Sequence, residues 1–154
     1  LVLRPFWPWG LPAGCTSKTE DRARSHWLPD LEQGLRLAAA GSKPLLVDFS
    51  ASWCAACRQI DTRILAAPEV EAQLQHFITV RLDYSRRSLS HDQIARRLEV
   101  RGLPCLLFLD SRGAEIQGLR ITGAISAAEF IRLSRRARAQ AQRPTPPDSR
   151  PASP

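Results

Sequence analysis

The sequence predicts an α/β fold in which a β-sheet is covered by helices on both faces. Short apolar runs of strand-forming residues alternate with segments of helical periodicity, in the order strand, helix, strand, helix, strand, strand, helix. The chain has 154 residues, 44% of them hydrophobic, which is enough for one buried core but too few for two ordinary domains. We therefore expect a single domain with tails.

The first predicted helix covers residues 30–40, where apolar side chains recur at spacings of three and four. Asp30 fits its N-cap and Gly41 its stop. A short run of strand formers at 45–49 then predicts a buried central strand, because it is apolar on both faces. The segment from 54 to 67 has helical character, and Pro68 fits the first turn of another short helix.

The C-terminal half is expected to alternate in the same way. Strands are predicted at 77–82, 105–109 and 115–121, and a helix at 90–98. The last helix begins with the capping box formed by residues 126–129.

We expect three regions along the chain. Residues 1–27 are an N-terminal arm and linker, 28–139 the folded domain, and 140–154 a disordered tail rich in Arg, Pro and Ser. Residues 1–14 are apolar and aromatic but contain Arg4 and three prolines, so they do not fit a complete membrane span. They fit either the end of a membrane segment or a disordered arm. Because the chain lacks methionine, we expect a fragment or a processed product.

The charge is basic, with 22 Lys and Arg against 15 Asp and Glu, a net charge of +7. Such a balance permits binding to nucleic acid or to an anionic membrane surface. However, no basic run is interleaved with aromatic residues on which bases could stack. We therefore predict a solvated, arginine-rich surface and no nucleic-acid partner.

Cys54 and Cys57 form a Cys-x-x-Cys pair where a predicted strand ends and a helix begins. The first thiol lies at the positive end of the helix, which favours its thiolate and predicts that Cys54 is the nucleophile. The second thiol lies one turn further on, more buried but within bonding reach. Cys57 is therefore predicted to be the resolving cysteine.

A zinc site is the alternative for this pair, and it would need two more ligands. None of the remaining Cys and His residues is paired with another at a ligand-like spacing: Cys15, Cys105, His26, His76 and His91. The preceding strand and Trp53 favour redox chemistry instead, so we predict no metal.

A Gly-x-Pro directly precedes the third predicted strand, in the segment Arg101-Gly102-Leu103-Pro104. Together with KPLLVDFSASWCAACRQID, PEV, RLEVRGLPCLLFLDSRGAEI and RITGAISAAEF, it resembles the C-terminal thioredoxin-like domain of the bacterial thiol:disulfide interchange protein DsbD. The resemblance covers residues 28–136 approximately. It implies a thioredoxin fold, with a central mixed sheet flanked by helices.

This resemblance also implies the roles of several residues. Pro104 would be cis and face the disulfide, with the backbone of Leu103 and the ring of Trp53 contacting the substrate; an ordinary trans proline at a strand start is the alternative. Asp48 would be a buried acid beneath the cysteines and Asp61 a second acid after them, both adjusting thiol pKa values. Asp48 could also be a purely structural, hydrogen-bonded carboxylate.

The implied activity is that of a protein-disulfide reductase with no cofactor beyond the Cys54–Cys57 disulfide. It would be a monomeric domain on the periplasmic side of the bacterial inner membrane, part of or attached to a membrane protein. A membrane-embedded thiol donor would supply electrons, and periplasmic thioredoxin-like proteins would accept them, as in cytochrome c biogenesis.

Two alternatives remain open. The first is an oxidase or isomerase of the same fold. It stays open because the dipeptide Ala55-Ala56 contains neither the His of strong oxidants nor the Pro of cytosolic thioredoxin, and so favours neither extreme decisively. A non-catalytic binding module is the other. Cys105, which follows Pro104, is expected to be a buried, inert strand residue.

Overall fold

The computed structural model describes residues 27–143, and its centre is a three-stranded mixed sheet. The strands are β1 (Leu45–Ser50), β2 (Ile78–Asp83) and β3 (Cys105–Leu109), in the order β2-β1-β3. β1 runs parallel to β2 and antiparallel to β3. Every residue of β1 and β3 is buried, as expected for strands that are apolar on both faces.

Helices cover both faces of this sheet, as the sequence predicted. One cluster joins alternate sheet residues such as Leu46 and Phe108 to the helices on one face, and a second joins Val47 and Leu107 to those on the other. The helical elements are α1 (Leu31–Gly41), α2 (Ala55–Ile60), a π-helical segment (Asp61–Leu65), α3 (Pro68–Leu74), α4 (Leu89–Arg97) and α5 (Ala127–Ala141).

The predicted helix starts are confirmed. The Asp30 side chain accepts a hydrogen bond from the N–H of Glu32 (2.9 Å), Pro68 opens α3, and the Ser126 hydroxyl accepts from the N–H of Glu129 (3.2 Å). The predicted stop at Gly41 was wrong by one residue. Ser42 instead adopts the left-handed conformation that ends α1, with φ of 49°.

The predicted fourth strand at 115–121 was wrong, since the segment forms only two isolated bridges to β3. These pair Leu109 with Glu115 and Leu106 with Ile121. Between them the chain turns at Gly118, whose φ of +75° is outside strand geometry. Because the backbone leaves strand geometry at Gly118, the two bridges do not join into a continuous ladder.

The structure shows where the chain enters the sheet and where the last helix ends. Trp27 and Leu28 already lie along the edge of β2, where Leu28 forms a parallel bridge with Val80. α5 continues to Ala141, two residues beyond the expected end of the domain. The rest of the arm and of the tail lies outside the described residues. Within residues 27–143, no helix has the length and apolar character needed to cross a bilayer.

Candidate functional site

Cys54 and Cys57 are joined by a disulfide at the start of α2, with an S–S distance of 2.11 Å and a Cα–Cα distance of 5.3 Å. Cys54 is the N-cap of the helix, and its Sγ accepts a hydrogen bond from the N–H of Cys57 at 3.2 Å. The first sulfur thus lies at a helix N-terminus, where backbone N–H groups favour negative charge. This is the position in which a thiolate is stabilised.

Both cysteine residues are buried, although Cys54 is slightly more exposed, at 7% against 3% for Cys57. The neighbouring Trp53 is 66% exposed, which is unusual for a large apolar side chain. An exposed indole next to a redox pair offers apolar area to a docking protein. The site therefore combines a covered disulfide with an exposed aromatic contact.

The disulfide packs in a small cluster with buried Ala51 and with half-buried Tyr84 and Leu103. The Leu103–Pro104 peptide bond is cis, as expected, and Pro104 is buried directly before β3. The Gly-x-Pro segment and the cysteine pair, about fifty residues apart in sequence, therefore meet at one end of the sheet.

Asp48, on β1, is 3% exposed and forms an ion pair with Arg81 of β2. The two residues are register partners in the parallel ladder, and the Arg81 Nε lies 2.7 Å from the Asp48 Oδ2. The same guanidinium donates through NH2 to the Oδ1 of Asp61 at 2.5 Å. The structure thus brings the two predicted acids together on one arginine.

Burial raises the pKa of Asp48 from 3.8 to about 6, and this outweighs the lowering effect of Arg81. The Asp61 charge adds to the upward shift, and hydrogen bonds from Arg81 and Ser50 oppose it. A carboxyl with such a pKa can hold or release a proton near neutral pH. Asp48 is therefore a buried carboxyl whose charge can change near neutral pH.

The sheet face on which Asp48 lies is the one covered by α2. Leu46, two residues before Asp48 and on the same face of β1, packs in one cluster with Ile60 of that helix. Asp61 follows Cys57 by four residues, which is one helical turn. Both acids are thus associated with the helix that carries the resolving cysteine.

Cys105, the first residue of β3, is a free cysteine that is 1% exposed. Burial raises the pKa of its thiol to about 11. A buried thiol with so high a pKa has very little thiolate at neutral pH, so it is a poor nucleophile. This agrees with the expectation of an inert strand residue.

Three residues of the site were not found from the sequence: Arg81, Trp27 and Tyr84. The Trp27 ring lies 4.7 Å from the Arg81 guanidinium carbon, in a cation–π contact. The alternation of β2 could have placed Arg81 on the Asp48 side, but its register with β1 could not be read from the sequence. Trp27 was assigned to the arm.

The active-site loop is also tied to the segment that follows β2. The N–H of Tyr84 donates to the carbonyl of Ser50 (2.8 Å), and the N–H of Ser52 donates to the Ser85 hydroxyl (2.7 Å). Arg58 donates to the carbonyl of Ser52 (2.6 Å). These bonds fix the backbone immediately before Trp53 and Cys54.

The zinc alternative would need two further ligands beside Cys54 and Cys57. Across residues 27–143, no group of three or more His, Cys, Asp or Glu side chains could hold a metal ion. His91 instead contacts the Tyr84 ring at 5.4 Å between centroids. Cys15 and His26 lie outside the described residues.

The fold and the cysteine pair define a class: residues 31–138 match the family described as "Thioredoxin-like domain", and the chain belongs to that family. A helix-capping Cys-x-x-Cys disulfide beside a cis-proline is the arrangement of a thiol:disulfide oxidoreductase.

Within that class, the chain is similar to "Thiol:disulfide interchange protein DsbD" of two bacteria. It is 31% identical over 138 residues to the protein of Yersinia pestis (strain Pestoides F), a match covering 85% of this chain and 22% of the relative. It is 34% identical over 102 residues to that of Vibrio vulnificus (strain CMCP6), covering 66% and 17%. The chain thus spans only about a fifth of these relatives.

Two solved structures are similar to this one. The oxidised C-terminal domain of DsbD from Neisseria meningitidis has a TM-score of 0.63 at 23% identity, and the match covers 73% of this chain and 99% of that one. A thioredoxin from Thermus thermophilus has a TM-score of 0.65 at 27% identity, covering 76% and 89%.

Proposed function

We propose that this chain is the electron-donating thioredoxin-like domain of a bacterial thiol:disulfide interchange system. It would take electrons from a membrane-embedded thiol donor and reduce disulfides of periplasmic thioredoxin-like proteins, acting as a monomeric domain at the periplasmic side of the inner membrane. The observation that carries this proposal is the Cys54–Cys57 disulfide with buried Asp48 on the sheet face beneath α2. The likeness to a thiol:disulfide interchange protein supports thiol-redox proteins as partners. Cytochrome c biogenesis is the setting that we propose for them.

The reaction begins with the reduced dithiol. The Cys54 thiolate attacks one sulfur of the partner disulfide, which forms a mixed disulfide and releases the other partner sulfur as a thiolate. Cys57 then loses its proton and attacks the Cys54 sulfur. This closes the Cys54–Cys57 disulfide and releases the second partner thiolate, so two electrons pass to the partner. The two partner thiolates then take up protons from the solvent, which balance those that Cys54 and Cys57 lost.

Asp48 is suited to assist the second step. Cys57 is 3% exposed, so few water molecules can accept its proton. A carboxylate whose pKa is about 6 can take up a proton near neutral pH and release it again. We propose this relay for Asp48, with Asp61 adjusting its charge through Arg81.

Substrate contact is proposed for Trp53, Leu103 and Pro104. Trp53 is exposed next to the cysteine pair in sequence, and Leu103 packs against the two cysteines. An extended partner segment could pair with the backbone next to Pro104, so that its disulfide is presented to Cys54.

The test is reduction of insulin disulfides with dithiothreitol as the electron source, followed by turbidity. The wild type should accelerate the reduction, whereas Cys54→Ser and Cys57→Ser should abolish the acceleration. Cys105→Ser is the matched control and should keep full activity. Equal rates with and without the protein would favour the non-catalytic binding module.

A second assay separates the proposed direction from an oxidase. The reduced chain is mixed with an oxidised periplasmic thioredoxin-like protein, and the thiols of both are alkylated at intervals. Transfer of both electrons to the partner supports the proposal. The converse mixture, oxidised chain with reduced partner, is alkylated in the same way. Accumulation of oxidised partner in that mixture would support an oxidase.

A further inference from the structure

We propose that Arg81 is a positioning residue of the redox site and that Trp27 is its partner. In this arrangement the Arg81 guanidinium holds the Asp48 and Asp61 carboxylates together, while the Trp27 indole covers the guanidinium. The segment that enters the domain from the N-terminal arm would thereby influence the thiol chemistry. That last consequence rests on the proposed function, whereas the network itself does not.

The first support is the register of the sheet. Asp48 and Arg81 are direct partners in the β1–β2 ladder, so their side chains leave the same face side by side. The Nε–Oδ2 distance of 2.7 Å is that of a charge-assisted hydrogen bond. Shifting the register by one residue would place Arg81 on the opposite face.

The second support is the fork of the guanidinium. One side of Arg81 donates to Asp48 through Nε and the other donates to Asp61 through NH2. Two carboxylates brought together would repel each other, and a cation shared by both removes that repulsion. Lysine has a single ammonium group and cannot present this planar fork.

The third support is the Trp27 contact, which the sheet edge holds in place. The N–H of Leu28 donates to the carbonyl of Thr79 (2.9 Å), and the N–H of Arg81 donates to the carbonyl of Leu28 (2.8 Å). These bonds dock the entering chain on the backbone of Arg81 itself. The Trp27 ring then lies against the guanidinium, with 4.7 Å between the Arg81 Cζ and the ring centroid.

The consequence concerns the charge on Asp48. The titratable or charged groups that act on it are Arg81 from β2, Asp61 from the π-helical segment and the Cys105 thiol from β3, with the Ser50 hydroxyl as a hydrogen-bond donor. Arg81 provides the positive charge among them. Without it, burial and Asp61 would both favour the protonated carboxyl.

The experiment follows the carboxyl carbons of ¹³C-labelled aspartates by NMR between pH 4 and 9, in the oxidised protein. The Asp48 signal is assigned by its loss in Asp48→Asn. Arg81→Met should raise the Asp48 midpoint by about one unit or more. Trp27→Ala should raise it less, because water then weakens the ion pair, and Trp27→Phe should stay close to wild type.

Arg97→Met is the matched control, because Arg97 is exposed and its Glu32 contact is long, at 3.9 Å. Arg81→Lys should give an intermediate midpoint, and it carries the test if the methionine variant does not fold. An Asp48 titration unchanged by both Arg81 substitutions would overturn the proposal. A Trp27→Ala curve that superimposes on wild type would overturn the part assigned to Trp27.

A second readout links the network to the thiols. The rate of Cys54 alkylation in the reduced protein is measured against pH for the same variants, and the inflection near the Asp48 midpoint should move with it. If the midpoint moves and the alkylation profile does not, the proposed influence on the thiols is wrong. Because the NMR titration needs no activity, its result does not depend on whether the chain is a reductase.

Discussion

Asp48 is an ionisable residue at a site where burial disfavours its charged form. It is 3% exposed on the central strand, and its pKa of about 6 means that burial dominates over the favourable contact with Arg81. A buried acid whose pKa is raised lowers stability once it must ionise. A buried acid with a strongly raised pKa, in a domain that also carries a redox-active cysteine pair, is a candidate functional group.

Asp48→Asn is therefore expected to change the pH dependence of stability. Between pH 3.8 and about 6, the Asp48 carboxyl holds its proton more often in the folded protein than in the unfolded chain. Its contribution to the free energy of unfolding therefore falls as pH rises through this window. Two units correspond to about 3 kcal/mol. Relative to Asp48→Asn, the wild type should lose about this free energy of unfolding between pH 4 and pH 7.

The measurement is urea unfolding of both oxidised proteins at several pH values. Asp110→Asn provides a control for an aspartate in a turn, where its carboxylate accepts from the N–H groups of Arg112 and Ala114 (both 2.9 Å). Parallel stability curves for the wild type and Asp48→Asn would contradict the raised pKa.

Cys54 is expected to be the first thiol alkylated in the reduced protein at neutral pH. Its position at the helix N-terminus favours the thiolate, whereas burial raises the pKa of Cys105 to about 11. Mass mapping after brief labelling of a Cys15→Ser variant measures the order. Preferential labelling of Cys57 would reverse the assignment of nucleophile and resolving cysteine.

Cys57→Ser should trap partners as mixed disulfides, because the attacking sulfur remains while the resolving one is absent. Non-reducing electrophoresis of the variant with an oxidised partner detects the trapped species. Cys54→Ser is the control and should trap much less. Equal trapping by both variants would show that either sulfur can attack.

Sequence reasoning located the residues of the site that carry local signals. The Cys-x-x-Cys and the Gly-x-Pro are recognisable from their spacing, whereas Asp48 and Asp61 were implied by the family resemblance. Arg81 and Trp27 have no such signal. Their roles depend on strand register and on a contact between distant parts of the chain, which only the fold determines.

At the scale of elements, α1 packs unusually close to the sheet at Gly34. A Cβ built there would lie 2.4 Å from Val80 Cγ2 and 3.3 Å from Leu45 Cδ2. Gly34 is therefore what permits this helix to approach β2. The same strand carries Arg81, so the packing of α1 also bears on the site.

Gly34→Ala should destabilise the protein. Overpacking a well-filled core typically costs about 1–3 kcal/mol, which exceeds the gain of about 1 kcal/mol that alanine brings to a helix. Gly41→Ala is the matched control, because its Cβ would meet only Lys43 atoms, at 3.8 and 4.0 Å. Thermal unfolding of the oxidised proteins measures both, and a more stable Gly34→Ala would contradict the close packing.

The elements themselves were predictable where their signals are local. Caps and Pro68 depend on hydrogen bonds within one turn, and those predictions were confirmed. The prediction of a fourth strand was wrong. Its residues have strand character, but Gly118 interrupts the ladder because its φ is positive. Whether a glycine adopts that conformation depends on its neighbours in space.

For the whole molecule, the sheet brings three distant segments to one end. β1 leads to the cysteines, the segment after β2 anchors the loop before them, and the residues before β3 pack Leu103 against the disulfide. The Arg81 network lies behind them on the face covered by α2. Fold class and both covered faces were predictable, because they depend on the order and periodicity of elements.

The reduction potential of the Cys54–Cys57 pair tests the proposed direction most directly. Strong oxidants stabilise the thiolate of the reduced form, but Ala55-Ala56 supplies no histidine to favour a thiolate. In the proposed site, the Asp48 carboxylate would also oppose one. The potential is measured by equilibration with dithiothreitol buffers followed by alkylation of the thiols. It should lie below that of a disulfide isomerase, about −180 mV, and towards or below that of thioredoxin, about −270 mV. A potential of about −180 mV or higher, towards the value of about −120 mV of a strong oxidase, would contradict the proposed reductase.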